Sequence, residues 1–311
     1  MENNHIMRIL AAILLIACTI VGVTLFRVWY EMTYVPSEAV SDLVEVMERA
    51  GIHIDRNLIS RRQTDGWVYV FASEDYAETV AELLSDSQVQ DVYAIPDGEL
   101  VILKNGDRVQ FGENFTFRYH AKDGDSYSPN ILDLRQFAPP KRPADAEVSV
   151  DAVRTFLKGG SRSFGSGGEV EADVSIEEIW EYEGIDYILC SRTIDDMEIT
   201  GNLALCTVEN GKVTAAYGTW CFFTSGMSYS AQLTDILNIL FNVKKDLAPS
   251  SSAEEKKTSV TIESIKFCYS LYFFGEENNF CLIPCWQIAT DTRGDFVYNA
   301  INGALYTKNM D

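Results

Sequence analysis

The sequence predicts an α+β protein: a single N-terminal transmembrane helix, then two extracytoplasmic domains of antiparallel sheet, each covered by helices. Three observations lead there. An uncharged run of 18 residues, Ile9 to Phe26, lies between Arg8 and Arg27. The remainder alternates short helical patterns with groups of long strand-like runs, without the strict strand–helix alternation that builds parallel sheets. A Pro-rich stretch from Ala121 to Ala146, with Pro129, Pro139, Pro140 and Pro143, then separates residues 35–138 from residues 147–311.

The apolar run comes first. At about 1.5 Å per residue it reaches about 27 Å, close to the hydrocarbon thickness of a bilayer. Thr19 and Thr24 can return their hydroxyls to the helix backbone, so neither interrupts it. Trp29, Tyr30 and Tyr34 suit the aromatic belt at a lipid–water interface. A cleaved signal peptide would have a shorter core and a small-residue site after it, where this chain has Arg27, Val28, Trp29 and Tyr30. A lipoprotein reading stays open, because Leu15-Ile16-Ala17-Cys18 loosely fits a site at which cysteine is lipidated; the apolar run continuing past Cys18 counts against it. Residues 1–8 form a short tail expected on the cytoplasmic side of the cell membrane, residues 9–26 the span, and the large body lies on the extracellular side.

Beyond Pro36, Ser37 is expected to cap an amphipathic helix to Ala50, with Val40, Leu43, Val44, Met47 and Ala50 on one face and Gly51 ending it. Ile52 to Ser60 reads as irregular. A strand over Trp67–Phe71 precedes a helix from Ser73 through Leu84. Strands follow near Val89–Ile95, Leu100–Leu103, Arg108–Phe111 and Phe115–His120, with Asn105-Gly106 as a tight turn of positive φ. In the second half a helix from Ser149 through Leu157 leads to strands near Val174–Tyr182, Tyr187–Thr193, Ile199–Val208 and Val213–Phe223. A further helix, Ala231 to Phe241, and a polar connection, Ala248 to Lys257, lead to strands at Val260–Phe274, Phe280–Thr290, Phe296–Asn299 and Ala304–Thr307. Helix-then-meander thus occurs twice, and the first half resembles it more loosely.

Setting aside Arg8, Arg27 and Glu2 leaves 23 basic and 45 acidic residues after position 27, a net charge of −22. Nucleic-acid phosphates repel such a body, which excludes DNA binding. A hydrophobic share of 47% excludes wholesale disorder. Six of the seven cysteines, Cys190, Cys206, Cys221, Cys268, Cys281 and Cys285, lie in the second half within strand-like runs. Buried thiols are the favoured reading, with bridges open to an extracytoplasmic body; Cys281-Leu-Ile-Pro-Cys285 is no C-x-x-C motif.

No catalytic constellation stands out. The body has only His53 and His120 to act as base or zinc ligand, without a G-x-S-x-G or H-E-x-x-H pattern. Asp123-Gly124-Asp125 could open a calcium loop, but Leu134 stands where the bidentate glutamate belongs. The glycine-rich run Gly159–Gly168 lacks the Gly-Lys-Ser/Thr ending of a phosphate loop. Acid pairs such as Glu177-Glu178 and Asp195-Asp196 arise by chance at this composition. No catalytic residue, cofactor or metal is therefore expected.

One stretch is more specific. Ile262-Glu263-Ser264-Ile265-Lys266-Phe267-Cys268-Tyr269 is followed by Pro284-Cys285-Trp286-Gln287-Ile288 and by Tyr298-Asn299-Ala300-Ile301-Asn302-Gly303. Physically it reads as a strand with Pro284 at its start or edge, Trp286 and Ile288 on one helix-covered face, and a hairpin turned at Asn302-Gly303. The pattern resembles the C-terminus of the YycI family, and related patterns occur in PepSY-like domains. The layout is similar along the chain, including Ala50-Gly51-Ile52 and Leu58-Ile59, but the specific motif covers only about the last fifty residues. Cys285 and Gln287 depart from it, since family members more often carry a small residue and arginine there. The resemblance implies a non-enzymatic membrane-anchored regulator in a Gram-positive two-component system, with a membrane sensor histidine kinase and a YycH-like co-regulator as partners beside the lipid bilayer. The alternative is a PepSY-like envelope protein that binds peptides or restrains a protease. On the regulator reading, Ala11, Leu15, Cys18 and Gly22 offer a partner-contact face on the anchor, because Cys18-x-x-x-Gly22 allows close helix approach.

Overall fold

The computed structural model describes residues 2–62, 66–71, 76–124, 130–159, 172–223, 226–247, 259–273 and 280–309; side chains at 2–12, 31–32, 137, 159, 273 and 307–309 are also outside the description. Helix α1 (Glu2–Thr33) leads to α2 (Ser37–Arg49) and β1 (Ile52–Ile54). β2 (Gly66–Phe71) precedes α3 (Tyr76–Ser85) and the strands β3 (Val89–Ile95), β4 (Gly98–Leu103), β5 (Arg108–Gly112) and β6 (Thr116–His120). After α4 (Ile131–Phe137), helix α5 (Glu147–Gly159) precedes β7 (Ala172–Tyr182), β8 (Ile185–Ile194), β9 (Met197–Glu209) and β10 (Lys212–Thr219). β11 (Gly226–Ala231) and α6 (Ile236–Leu247) then lead to β12 (Val260–Phe273), β13 (Phe280–Thr290), β14 (Gly294–Asn299) and β15 (Leu305–Asn309). The protein is α+β, and a helix followed by four strands occurs at α3, α5 and α6.

Two compact units result: residues 1–66, 232–266 and 286–311 form one, residues 67–231 and 267–285 the other. The division differs from a single boundary between 138 and 147, because strand pairing crosses the Pro-rich stretch. In the second unit β3–β6 and β7–β10 are both antiparallel meanders, and β6 pairs antiparallel with β10 from Thr116↔Thr219 to His120↔Ala215. Successive strand residues point to opposite faces; one face is covered along β4–β10, and the other is covered at β7–β10 while alternate residues of β3–β6 stay exposed or half-buried. On one, Val80 of α3 and Val153 and Leu157 of α5 meet Val101, Val109, Ile188, Cys190 and Cys206. On the other, Leu134 and Ala138 meet Trp180, Leu189 and Leu205. Double coverage explains why β8 is buried continuously from Tyr187 to Arg192 rather than at alternate residues.

In the first unit, β1 runs parallel to the start of β12, from Ile52↔Val260 to Ile54↔Ile262. Helix α2 covers it. Pro36, with φ of −59°, leads into the helix, and Gly51 closes it at φ +81°, a region glycine enters at little cost. Val40, Leu43 and Met47 recur at helical spacing and are buried; each full burial contributes about 1.5–3 kcal/mol.

Several elements differ from the expectation. Ile52–Ser60 is not irregular: it holds β1 and a 3₁₀ turn at Arg56–Leu58, which Asp55 caps by accepting from Asn57 N. The parallel pairing of β1 depends on a partner some 200 residues away, which local pattern does not reveal. The helix expected over Ala231 to Phe241 starts at Ile236, because Ala231 ends β11 and Asp235 accepts from Leu237 N at 2.9 Å. Helix α4 lies inside the presumed linker, opened by Asn130 accepting from Leu132 N. The strand expected to reach Phe223 stops at Thr219, and Trp220–Phe223 are buried without being strand. Pro284 sits mid-strand in β13 and is buried, just beyond the last β2 partner pair, Leu282↔Tyr69. Ser73 and most of the Gly159–Gly168 run lie outside the described residues, and α3 is described from Tyr76. Among the described residues no helix is long and apolar enough to cross a membrane, and Ile9–Ala12 of the expected span are not among the described side chains.

Candidate functional site

Helix α1 and the segment against its C-terminal end form the first candidate surface. Leu14, Leu15, Ile20, Val23, Leu25 and Phe26 are each 61–70% exposed, spread around the helix rather than along one stripe. Thr19 and Thr24 donate their hydroxyls to the carbonyls of Leu15 and Ile20, each at 2.8 Å. Of the expected contact face, Leu15 and Cys18 are exposed, a Cβ placed on Gly22 would meet nothing within 4 Å, and the Ala11 side chain lies outside the described residues. The described part of this face is open to an outside partner.

Below it, Phe26, Tyr30 and Tyr34 stack in succession, with Tyr30 and Tyr34 centroids 5.0 Å apart, and Trp29 meets Phe26 tilted and Tyr34 edge-on. The chain returns to this stem at Arg61 and Arg62. Val35 N donates to the Arg61 carbonyl at 2.7 Å, Tyr34 bridges Arg62, and Arg61 donates to the Val35 carbonyl at 3.0 Å and the Tyr30 hydroxyl at 3.3 Å. The sequence reading missed this clamp; its only local sign is three arginines and no carboxylate across residues 56–62.

The C-terminal motif forms a second cluster within the first unit. Tyr298 donates its hydroxyl to Asp246 of α6 at 2.8 Å; burial, then that carboxylate, holds the phenol well above its usual range. Asn299 Oδ1 accepts from Ile301 N at 2.8 Å, and Asn242 Nδ2 of α6 donates to the Gly303 carbonyl at 2.7 Å. Gly303 has φ +71°, and a Cβ there would come within 3.0 Å of Asn242 Nδ2. Trp286 and Ile288 are buried on β13, and Gln287 donates to Asp295 at 2.8 Å. Tyr298 and the Gly303 carbonyl tie the β14–β15 hairpin to α6, Gln287 ties β13 to β14, and Asn299 closes the hairpin turn itself.

In the second unit the charged groups are similarly occupied. Asp107 accepts from Ser85 Oγ, from Asn105 Nδ2 at 2.8 Å, from the Tyr119 hydroxyl at 3.0 Å and from Lys122 N at 3.0 Å. Burial pushes its pKa up, but these donors outweigh burial and hold it below the ordinary aspartate range. Arg192 is buried, its guanidinium 3.9 Å from the Phe223 ring centroid and bonded to the Cys221 carbonyl; burial pushes it down to about 10.

Asp195 and Asp196 make the β8–β9 turn with φ of 50° and 63°, and Asp195 accepts from Tyr69. Glu177 accepts from Ser191 and Glu178 pairs with Arg135. His53 is exposed on β1; His120 ends β6, where burial, then Arg118 and Arg108, keep its imidazole below the usual range. Asp123-Gly124 is a turn, and Asp125 lies outside the described residues. Among the described residues no three His, Cys, Asp or Glu side chains converge as metal ligands. A shallow cavity of about 430 Å³ opens beside Asp97, Gln110, Glu113, Thr116 and Arg118. All six body cysteines are buried, Cys190 and Cys268 directing their thiols at the Ile188 and Cys285 carbonyls, whereas Cys18 is exposed.

No family model and no curated protein matches the chain. It is similar to a solved structure of an uncharacterized protein from Eubacterium rectale, with a TM-score of 0.41 and 11% identity over 83% of this chain and 90% of that one.

Proposed function

We propose that the protein is a non-enzymatic, membrane-anchored regulator of a sensor histidine kinase, with α1 as both anchor and contact surface. One observation carries the reading: Leu14, Leu15, Ile20, Val23, Leu25 and Phe26 of α1 are each 61–70% exposed. Contiguous apolar surface of that extent marks a membrane or protein contact, and the run is flanked by arginines and aromatic rings as an interfacial helix end is. Asp107, Asp195, Glu177 and Glu178 are each occupied by hydrogen bonds or ion pairs within the fold, which favours α1 as the surface for a partner. The kinase itself comes from the resemblance of the C-terminal motif to the YycI family. On this reading residues 1–8 are cytoplasmic and the acidic body is extracytoplasmic.

The test is recovery of histidine kinases with the full-length chain from detergent-solubilised membranes, identified by mass spectrometry. Gly22→Ile fills the open face and is expected to lower recovery severalfold, as is replacement of residues 9–26 by an unrelated apolar helix. Recovery that survives both changes would sink the helix-contact mechanism. Inhibition of a protease by residues 28–311 alone would instead favour the PepSY-like alternative.

A further inference from the structure

We infer that the outer end of α1 carries an arginine collar for the phosphate groups of anionic phospholipids; this rests on the membrane reading of α1 and adds the lipid class. Residues 56–62, Arg-Asn-Leu-Ile-Ser-Arg-Arg, hold three arginines and no carboxylate in a chain of formal net charge −21. The fold brings Arg61 and Arg62 to the stem and Arg56 to the start of α2 just beyond it. Arg56 donates to the Ser37 carbonyl at 3.1 Å, Arg61 to the Tyr30 hydroxyl at 3.3 Å, and the backbone of Arg62 bridges Tyr34. Ile59, only 4% exposed, pins the segment in the core, while the three arginine side chains are exposed.

Depth decides what they face. Tyr30 lies four residues past Phe26, about 6 Å further along the helix. Headgroups add about 5–7 Å to each side of the hydrocarbon, so a guanidinium bonded to Tyr30 sits in the phosphate layer. Its planar N–H pairs match phosphate oxygens in a way an ammonium does not. Trp29, Tyr30 and Tyr34 supply the rings that favour the same layer. The neighbouring described carboxylates do not neutralise the collar: Asp55 caps the 3₁₀ turn, Glu38 opens α2, and neither is ion-paired to these arginines. The body as a whole is repelled by an anionic surface, so a local cluster is needed to hold its base against one. Each arginine near such a surface strengthens binding about fivefold.

The experiment places the full-length chain in nanodiscs of phosphatidylcholine alone or mixed with phosphatidylglycerol and counts retained lipids by native mass spectrometry. Phosphatidylglycerol should be retained preferentially, with the preference falling about fivefold in Arg62→Gln and about 25-fold in Arg56→Gln/Arg62→Gln. Arg62→Lys should fall between the wild type and Arg62→Gln, since the charge remains but the planar N–H pairs are lost. Equal retention of the two lipids by the wild type, or an unchanged preference in the double variant, would overturn the collar. Failure to enter nanodiscs of either composition would overturn the anchor, and the collar with it.

Discussion

Helix α1 leaves Leu14, Leu15, Ile20 and Phe26 at 61–70% exposure, whereas α2, after a three-residue link, holds Val40, Leu43 and Met47 at 2% or less. Both carry a run of apolar side chains; the arrangement separates them. In α2 the apolar residues recur at i, i+3 and i+7 among Glu38, Asp42, Glu45 and Glu48, so one stripe turns inward. In α1 they surround the axis, and no single neighbour could cover them all. The lesson is that α2 spends its hydrophobicity on the fold, while α1 keeps its own for what lies outside the chain.

Mutations can break or sharpen that contrast. Leu43→Ala should cost about 2–5 kcal/mol of unfolding free energy by urea titration, as lost burial plus a cavity. Asp107→Ala, away from both helices, should cost about 1–3 kcal/mol, because Tyr119 and Asn105 lose their acceptor. The wild-type aspartate titrates below its ordinary range, so its stabilisation is complete above about pH 3.9 and fades as pH falls further. The variant should lack that acid limb. Tyr298→Phe should cost about 1 kcal/mol, the hydroxyl bond to Asp246 being lost while the ring stays packed. Val21→Ala in α1 should change the stability of the body in detergent by less than about 0.5 kcal/mol. A cost equal to that of Leu43→Ala would mean α1 packs on its own chain, and the contrast would fall.

Local chemistry made much of this fold legible. Turn residues Asn210-Gly211, both at positive φ, and the pattern of α2 could be read directly. Asn105-Gly106 was half right, since only Gly106 adopts positive φ. Pairings between distant segments could not be read: β1 with β12, β6 with β10, and Arg61 with the α1 stem depend on partners that no short window contains. Helix α4 was hidden by surrounding prolines, although Asn130 before an apolar turn was a usable cap signal. The C-terminal motif was legible as structure, and Gln287 found its role only once β14 brought Asp295 to it.

Cysteine reactivity tests the account of α1 most directly. The six body thiols are buried; the Cys190 contact and burial hold Cys206 well above the usual thiol range, and burial pushes Cys281 up to about 11. Cys18 alone is exposed, so a membrane-impermeant maleimide reports on what covers α1. In intact membranes the account predicts no labelling, rapid labelling of nothing but Cys18 when detergent loosens its surroundings, and all seven thiols on denaturation. Six thiols on denaturation would reveal a lipidated Cys18. Fast labelling of Cys18 in intact membranes would contradict the central claim, because the helix would then lie in water.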